Sequence, residues 1–354
     1  ISLSSVLDAD YAPDSWKPTL LDGKRDISKF LLAQLSLNDS IILQGPPGTG
    51  KTYHISKLCA ELMSQGYSVL VTALTNRALV EIAKKPFLQP YLDDRKIYKT
   101  KVTIDEEKEI PKLTTIKEVN PIKGSLVLST FFITSGVASE LAADEPFDYV
   151  IVDEASQVDL VTGALAFSCA KKTVIVGDLK QLPNVVNDEQ KQITDRVFEQ
   201  YGLGEAYRYS DHSLLSSVVS LFPNAPHVLL KEHYRCHPEI IGFCNQRFYN
   251  NVLVVLTKPK SDRQPLMVYR TAAGNHARNR VNQRQIDVIT NEVFPNQGLN
   301  AGDGSVGIVT PYRNQADELQ RAFADTMVKA DTADKFQGQE RSVMIFSTVD
   351  NEIG

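Results

Sequence analysis

The sequence contains few cysteines and no long apolar run. Four cysteines in 354 residues are too sparse for a disulfide framework, which indicates a reducing compartment. No apolar stretch approaches the roughly 20 residues that span a bilayer. The first residues, ISLSSVLDADYAPDSW, lack the basic start and apolar core of a signal peptide. We therefore expect a cytoplasmic protein, or a nuclear one in a eukaryote, without a membrane partner.

The chain also lacks an excess of positive charge. The chain carries 38 lysines and arginines against 43 aspartates and glutamates, for a net charge of −5. This balance argues against a nucleic-acid binder that relies on a broad basic surface. It leaves open a groove that holds a single strand through backbone amides and hydroxyl groups. Cys236 and Cys244 lie near His233 and His237, but their spacing matches no familiar zinc pattern, and we expect no metal there.

What the sequence does contain is a phosphate-binding loop. Residues 45–52 read GPPGTGKT and fit the pattern G-x-x-x-x-G-K-[ST]. An apolar run, SIILQ, precedes this loop, and a helix-like stretch, HISKLCAELMSQG, follows it. Glycines let backbone N–H groups turn toward phosphate oxygens, and the helix N-terminus adds partial positive charge. Lys51 is predicted to reach the β- and γ-phosphates and Thr52 to bind Mg²⁺; for an isolated match, the alternative is a chance glycine-rich turn.

An acidic strand end argues against that alternative. In FDYVIVDEASQ a run of β-formers delivers Asp153 and Glu154 to the end of a strand. Asp153 suits the shell of a metal ion, and Glu154 suits orienting and deprotonating a water molecule. Another strand ends in GDLKQLP and brings Asp178 and Gln181 to the same sheet edge, where a glutamine can sense the γ-phosphate. These strings together predict a protein that binds and hydrolyses a nucleoside triphosphate.

Apolar, β-branched runs alternate with helical patterns, which predicts an α/β fold. The apolarity of the runs is continuous, as in parallel strands that helices bury on both faces. The predicted strands are residues 40–44, 68–74, 125–130, 149–155, 172–178, 227–234, 265–270, 305–312 and 342–349. We predict an N-terminal extension (1–20), a first domain (21–224) and a second domain (225–354) that is incomplete at its C-terminus. An insertion at about 86–124 is either a solvated excursion or a functional arm.

Six strings resemble the motifs of one helicase family, in that family's order. They are GPPGTGKT, DEASQ, GDLKQLP, YRCHPEI, TPYRNQ and DKFQGQE. Over residues 20–350 the chain resembles the 5′→3′ branch of the superfamily 1 helicases, with upframeshift-like, Dna-two-like and Sen-one-like enzymes and a core of the AAA_11 and AAA_12 type. The resemblance implies two tandem RecA-like P-loop NTPase domains with parallel sheets and ATP in the interdomain cleft. It also implies Mg²⁺-dependent hydrolysis of ATP to ADP and phosphate, and movement along single-stranded DNA or RNA.

The resemblance implies a role for each residue of the nucleotide site. Lys51 and Thr52 hold phosphates and Mg²⁺, and Asp153 holds the metal. Glu154 is the catalytic base, and Gln181 couples the γ-phosphate to the nucleic-acid groove. The implied catalytic residues are Lys51, Glu154, Gln181 and Arg235. The implied ATP-binding residues are Gly45, Pro46, Pro47, Gly48, Thr49, Gly50, Lys51, Thr52, Tyr234, Arg235, Gly338 and Glu340.

Tyr234 and Arg235 depend most on the resemblance. Within the motif set, Tyr234 stacks on the base of ATP, and Arg235 reaches across the cleft as an arginine finger that stabilises transition-state charge. An aromatic residue beside an arginine at the start of a second domain can serve both purposes. Outside the motif set, the same pair would be interpreted as a core tyrosine and a surface ion pair.

Nucleic-acid contacts are implied on loops opposite the ATP side. Hydroxyls, amides and helix-start N–H groups there would grip phosphates without reading sequence. Threonine and serine at strand ends are also ordinary helix caps, and that alternative stays open. The implied positions are Thr75, Asn76, Ser129, Thr130, Thr310, Pro311, Tyr312, Thr332 and Asp334.

The chain departs from the family pattern in two places. Arg25 stands about where the family has a glutamine that reads adenine, so adenine specificity stays open. The family's last motif, near V-A-[LV]-[ST]-R-A-[RK], is absent before Gly354, and we expect a truncated chain. The alternative function is a nucleotide-gated nucleic-acid clamp or switch subunit that does not unwind. It would act in a larger complex, with other subunits or fused domains as partners.

Overall fold

The chain divides after Pro265 into two compact units. The computed structural model describes residues 19–21, 26–143, 146–259, 264–272, 274, 276–336 and 339–350. The boundary that the sequence predicted, between residues 224 and 225, lies too early. The reason is that the strand His227–Leu230 pairs within the sheet of the first unit.

The first unit is built on one large sheet, in which the nine described strands are all parallel. The strands are β1 (Thr19–Leu21), β2 (Ser40–Gln44), β3 (Val69–Ala73), β4 (Ile97–Thr100), β5 (Thr114–Ile116), β6 (Leu126–Thr130), β7 (Phe147–Val152), β8 (Ala170–Gly177) and β9 (His227–Leu230). Their spatial order is β1-β9-β2-β8-β7-β3-β6-β4-β5. Because the strands are parallel, their carboxyl ends meet at one edge, which is where such sheets bind ligands.

Helices cover this sheet because successive residues of each strand point to opposite faces. In β2, Ile41 and Leu43 belong to one apolar cluster, and Ile42 belongs to the other. Burial on both faces is the reason for the continuous apolar runs of the sequence. The α-helices of this unit are α1 (Ile27–Leu37), α2 (Lys51–Ser64), α3 (Asn76–Ala83), α4 (Gln89–Asp93), α5 (Ile104–Glu109), α6 (Phe131–Ala143), α7 (Leu160–Phe167), α8 (Asp188–Tyr201), α9 (Leu214–Leu221) and α10 (Pro238–Phe248). The 3₁₀ helices are Pro86–Leu88 and Glu205–Tyr207.

The predicted insertion at 86–124 is part of the sheet. It supplies β4 and β5, which extend the sheet beyond β6. Neither strand was predicted from the sequence. Lys99 in the middle of β4 explains the first omission: its side chain is fully buried, and its Nζ lies 3.1 Å from Oε2 of Glu106. A buried ion pair of this kind breaks the apolar pattern by which buried strands are found.

Two short strands complete the first unit. β10 (Glu232–His233) follows β9 almost directly and pairs with β11 (Val254–Val255). α10 lies between them in sequence. The segment that contains Tyr234 and Arg235 is therefore anchored in the first unit.

The second unit has a sheet of three described parallel strands. They are β12 (Val306–Thr310), β13 (Lys329–Thr332) and β14 (Val343–Phe346), in the order β13-β12-β14. Its α-helices are α11 (Gln283–Val288), α12 (Phe294–Gln297), α13 (Arg313–Ala322) and α14 (Ala333–Phe336), with a π-helical turn at Ile289–Val293. The strand predicted at 265–270 is wrong, because this stretch has no regular structure. No helix among the described residues is both long and apolar enough to cross a membrane.

Candidate nucleotide site and nucleic-acid positions

The phosphate loop lies between the end of β2 and the start of α2. Gly48 and Gly50 make the turn with φ values of 75° and 83°, which residues with side chains rarely adopt. Thr49 closes the loop from within, since its hydroxyl donates to the Pro46 carbonyl oxygen at 2.7 Å. The loop runs directly into α2, which begins at Lys51. N–H groups at such a helix start form a natural phosphate site, and the glycine cradle therefore fits a triphosphate.

Lys51 links this loop to the acidic strand end. Its Nζ donates to the Gly45 carbonyl oxygen at 2.9 Å and lies 3.9 Å from Oε1 of Glu154. The two side chains are 11% and 26% exposed, so water screens their attraction only in part. Two residues that the sequence predicted separately therefore meet at one point of the sheet edge.

Asp153 is buried at the end of β7. Its Oδ1 accepts a hydrogen bond from the Glu154 N–H at 2.9 Å. Burial and the neighbouring Glu154 carboxylate raise the pKa of Asp153 to about 7, although Lys51 acts in the opposite direction. A divalent cation would offset both effects, so this carboxylate fits Mg²⁺. Thr52, in the first turn of α2, offers a hydroxyl, and Mg²⁺ usually keeps water and phosphate oxygens as its other ligands.

Glu154 is held from both sides. Its backbone has a φ of 55°, an uncommon left-handed conformation that turns the chain sharply out of β7. Lys51 approaches Oε1, and Gln157 Nε2 donates to Oε2 at 3.2 Å. Gln157 was not predicted as a site residue, although it is the final residue of the DEASQ motif. This arrangement fixes the carboxylate while leaving it partly exposed.

Asp178 is a fully buried acceptor beside the site. Its Oδ1 accepts from Gln44 Nε2 and from the Lys180 N–H, both at 3.1 Å, and its Oδ2 accepts from the Tyr249 hydroxyl at 2.6 Å. The Gln181 N–H donates to the Asp178 carbonyl oxygen at 3.1 Å. These bonds fix the loop that carries Gln181, whose contact with a γ-phosphate stays a prediction. Gln44 and Tyr249 were not predicted as site residues, because a polar residue at a strand end and a tyrosine at a helix end are both common.

Tyr234 and Arg235 lie beside the phosphate loop, within the first unit. The Tyr234 N–H donates to the Gly48 carbonyl oxygen at 2.9 Å. A Cβ added at Gly48 would lie 2.7 Å from the Cβ of Arg235. The prediction that both residues belong to a second domain is wrong, because β9 and β10 keep this segment in the first unit. Both side chains are exposed, and their contacts with ATP stay predictions.

A small pocket adjoins the loop below Tyr234. It is lined by Ile27, Thr49, His54, Leu230, Lys231, Glu232 and Tyr234. Burial lowers the pKa of His54 to about 4, so its ring is neutral at pH 7. His54 Nδ1 is buried without a hydrogen-bond partner in the described part of the chain. The cavity is only about 10 Å³, so it offers room for a water molecule at most and not for a nucleobase.

The predicted nucleic-acid positions of the first unit lie at the ends of two paired strands. Thr75 and Asn76 are exposed after β3, and Thr75 also caps α3 by accepting the Ala78 N–H at 3.2 Å. Thr130 is half-buried at the end of β6. Ser129 is fully buried, and its hydroxyl lies 3.5 Å from the Thr100 hydroxyl. Its side chain therefore points into the interior, which contradicts the predicted surface role.

The predicted positions of the second unit gather at the carboxyl edge of its sheet. Thr310 pairs with Thr332 across β12 and β13. Thr332 is half-buried, whereas Thr310 is fully buried on the central strand, so a contact through the Thr310 hydroxyl is not supported. Pro311 and Asp334 are exposed, and the Tyr312 hydroxyl donates to Asp350 Oδ2 at 2.6 Å.

Three remaining predictions concern sites at the margins of the described chain. Arg25 and Gly338 lie outside the described residues, and Glu340 is exposed in the second unit.

No group of three or more histidine, cysteine, aspartate or glutamate side chains could hold a metal ion among the residues that the structure describes. The expected absence of a metal near Cys236 stays an expectation.

The parallel sheet, the phosphate loop and the acidic strand end define a P-loop NTPase. β8 lies between β2, which carries the loop, and β7, which carries Asp153 and Glu154. The family models agree with this class. The AAA_19 model, an AAA domain, matches residues 31–187, and the AAA_12 model, also an AAA domain, matches residues 210–353. AAA_12 was expected from the sequence, whereas AAA_19 was not.

Curated proteins narrow the class. The chain is 26% identical over 353 residues to the DNA replication ATP-dependent helicase/nuclease DNA2 of Gallus gallus, with 94% of this chain and 33% of that protein covered. The protein of the same name from Homo sapiens is 26% identical over 399 residues, covering 98% and 36%. The two AAA models and these relatives together support a superfamily 1 helicase of the Dna2 and upframeshift type. The chain spans about a third of the length of these relatives.

Solved structures give weaker likenesses. A Pif1 helicase from Bacteroides, in complex with ADP-AlF3 and ssDNA, is 15% identical with a TM-score of 0.40, covering 89% of this chain and 57% of that one. An Arterivirus nonstructural protein 10 helicase in complex with DNA is 14% identical with a TM-score of 0.42, covering 83% and 59%. The family assignment rests on the family models and the curated relatives.

Proposed function

We propose that this chain binds ATP with Mg²⁺ and hydrolyses ATP to ADP and phosphate. The observation that carries the proposal is the meeting of Lys51, Asp153 and Glu154 beside the phosphate loop, with 3.9 Å between Lys51 Nζ and Glu154 Oε1. The matched relatives are named ATP-dependent helicases, which supports the same activity for the part that this chain spans.

Each residue contributes a separate piece of the chemistry. Lys51 and the N–H groups of the loop bind phosphate oxygens and offset their charge. Glu154 orients a water molecule and takes its proton as the water oxygen attacks the γ-phosphorus. The bond from the γ-phosphorus to the bridging oxygen then breaks, and ADP leaves with that electron pair. Asp153 and Thr52 would hold Mg²⁺, which would supply positive charge to offset that of the phosphates.

We further propose that hydrolysis drives 5′→3′ movement along single-stranded nucleic acid. Thr75 and Asn76 follow β3, which is the direct neighbour of β7 in the sheet. Nucleic acid on these residues would therefore lie one strand away from Asp153 and Glu154. Hydroxyl and amide groups at this edge suit phosphates without base recognition, and the low positive charge favours binding that depends gently on salt. The polarity rests on the family alone.

The test measures ATP hydrolysis and strand separation in the same preparation. We expect single-stranded DNA or RNA to stimulate hydrolysis, and the nucleic acid that stimulates more identifies the track. We expect unwinding of a duplex with a 5′ tail and none with a 3′ tail. Lys51→Ala is the matched inactive control. Unwinding of only the 3′-tailed duplex would reverse the polarity, and stimulated hydrolysis without unwinding would favour the clamp or switch alternative.

A further inference from the structure

His233 is fully buried between the phosphate loop and the Tyr234–Cys236 segment. Its Nδ1 lies 2.8 Å from the Pro47 carbonyl oxygen, and its Nε2 lies 2.8 Å from the Cys236 backbone nitrogen. Neither the phosphate-loop motif nor the family resemblance assigned a role to this histidine. Its ring contacts the loop at Pro47 and beside Gly48, whose φ is 75°.

The two partners fix the protonation state of the ring. A carbonyl oxygen only accepts hydrogen bonds, so Nδ1 of His233 must carry the proton and donate to Pro47. A backbone N–H only donates, so Nε2 must be the bare acceptor for Cys236. The ring is therefore neutral, in one tautomer. Burial and the nearby Arg235 charge lower the pKa of His233 despite the Pro47 bond, which agrees with this state.

The Pro47 bond controls the direction of a phosphate-binding group. In a trans peptide the C=O and the following N–H point in opposite directions. Because His233 holds the Pro47 carbonyl oxygen on its own side, the Gly48 N–H is turned to the other side. N–H groups of such loops are the groups that bind phosphate.

Contacts at Gly48 make the same arrangement rigid. The Tyr234 N–H donates to the Gly48 carbonyl oxygen at 2.9 Å. A Cβ added at Gly48 would lie 2.5 Å from Cε1 of His233 and 2.7 Å from the Cβ of Arg235. The loop and the segment that carries Arg235 therefore fit against each other without spare room.

We propose that His233 is a positioning residue for the nucleotide site. Its Nδ1–H holds the Pro47–Gly48 peptide so that the Gly48 N–H faces the phosphates, and its ring seats Arg235 beside the loop. This inference rests on the proposed ATP site, and it assigns to that site a residue that does not itself touch nucleotide.

Two variants of His233 and one control variant of His227 separate positioning from packing. His233→Phe keeps a ring against Gly48 but removes both hydrogen bonds. His233→Gln offers one amide donor and one carbonyl acceptor, so it can restore them. His227→Phe is the matched control, because His227 is another buried histidine of the first unit. It lies in β9 opposite Ile42 of β2 and not at the phosphate loop.

The measurements are the affinity of the full chain for a non-hydrolysable ATP analogue, the steady-state kcat and KM, and the unfolding midpoint. We expect His233→Phe to weaken analogue binding about ten-fold, as loss of a hydrogen bond to the loop does, and to lower kcat as well. His233→Gln should bind within about three-fold of the wild type. His227→Phe should leave affinity unchanged.

Several results would overturn the inference. Wild-type affinity and kcat in a folded His233→Phe would show that the ring only fills space. If His233→Phe does not fold, His233→Asn replaces it, because its short amide is expected to reach Pro47 but not Cys236. We then expect near-wild-type affinity for the analogue. A ten-fold loss of affinity would contradict the role of the Pro47 bond. Lys51→Ala is measured in parallel to test the ATP site itself. If Lys51→Ala binds the analogue normally, the proposed ATP site is wrong; if Lys51→Ala loses affinity and the His233 variants do not, only the role of His233 is wrong.

Discussion

The Lys51 ammonium lies 3.9 Å from the Glu154 carboxylate, so the phosphate loop and the end of β7 are joined directly. A triphosphate at the loop would compete with Glu154 for the lysine. Binding would then release the carboxylate toward the water molecule that attacks. The pair therefore relates nucleotide binding to the availability of the base, and each partner can be tested alone.

Lys51→Ala should weaken binding of the ATP analogue by roughly 10- to 100-fold. A hydrogen bond to a charged group contributes about 1.5–3 kcal/mol, and 1.4 kcal/mol is a factor of ten in affinity. Lys57→Ala is the matched control on α2, because Lys57 pairs with Asp26 at 2.9 Å instead of with the loop. Equal losses in the two variants would mean that charge on the helix, and not the position of Lys51, is what matters.

Arg235→Ala should lower kcat far more than it changes KM. An arginine that stabilises the transition state contributes about 10³-fold or more to turnover. Arg247→Ala is the control, since Arg247 lies in the last turn of α10. Steady-state hydrolysis with saturating nucleic acid measures both constants. A normal kcat with a raised KM would assign Arg235 to ground-state binding.

Tyr249→Phe should destabilise the first unit by about 1.5–3 kcal/mol. The variant removes the hydroxyl that donates to the buried Asp178 carboxylate at 2.6 Å, and hydrogen bonds to charged groups contribute this much. Tyr91→Phe makes the same change where the hydroxyl donates to the neutral Ala60 carbonyl at 2.9 Å, so a loss of only about 1 kcal/mol is expected. Denaturant unfolding compares the two, and equal losses would show that the Asp178 charge adds nothing.

Stability should fall in acid partly through His227. Burial lowers its pKa from 6.5 to about 3 in the folded protein, so between these values the unfolded chain binds more protons. The contribution of His227 is complete above pH 6.5 and is lost as the pH falls, by up to about 1.4 kcal/mol per unit. His227→Phe should therefore lose less stability than the wild type between pH 7 and 5. Parallel pH curves in thermal unfolding would contradict this.

The sequence predicts the central strands because their burial on both faces leaves continuous apolar runs. SIILQ matches β2 residue for residue. β4 was not predicted because Lys99, in its middle, is buried as part of an ion pair. β13 was not predicted because its sequence, KADT, has little apolar character. The domain boundary was predicted too early because the FPNAP break precedes β9. That strand pairs within the first sheet and does not start a second one.

The nucleotide residues are predictable because phosphate chemistry demands fixed residue types at fixed spacing. Lys51, Asp153 and Glu154 meet as the motifs require. Contacts to carbonyl oxygens and buried carboxylates have no such signature, which is why His233 and Tyr249 were missed. A sequence motif also does not show whether a side chain is exposed. Ser129 matches the motif position of a nucleic-acid contact, but its side chain is buried.

The most direct test of the account is phosphate release by Glu154→Gln, measured together with binding of the ATP analogue. Glutamine keeps the size of the side chain but cannot accept the proton of the attacking water. We predict wild-type affinity and a loss of about 10²–10⁴-fold in turnover, as is typical when a general base is removed. Turnover at the wild-type rate in the folded variant would contradict the assignment of Glu154 and the proposed hydrolytic site.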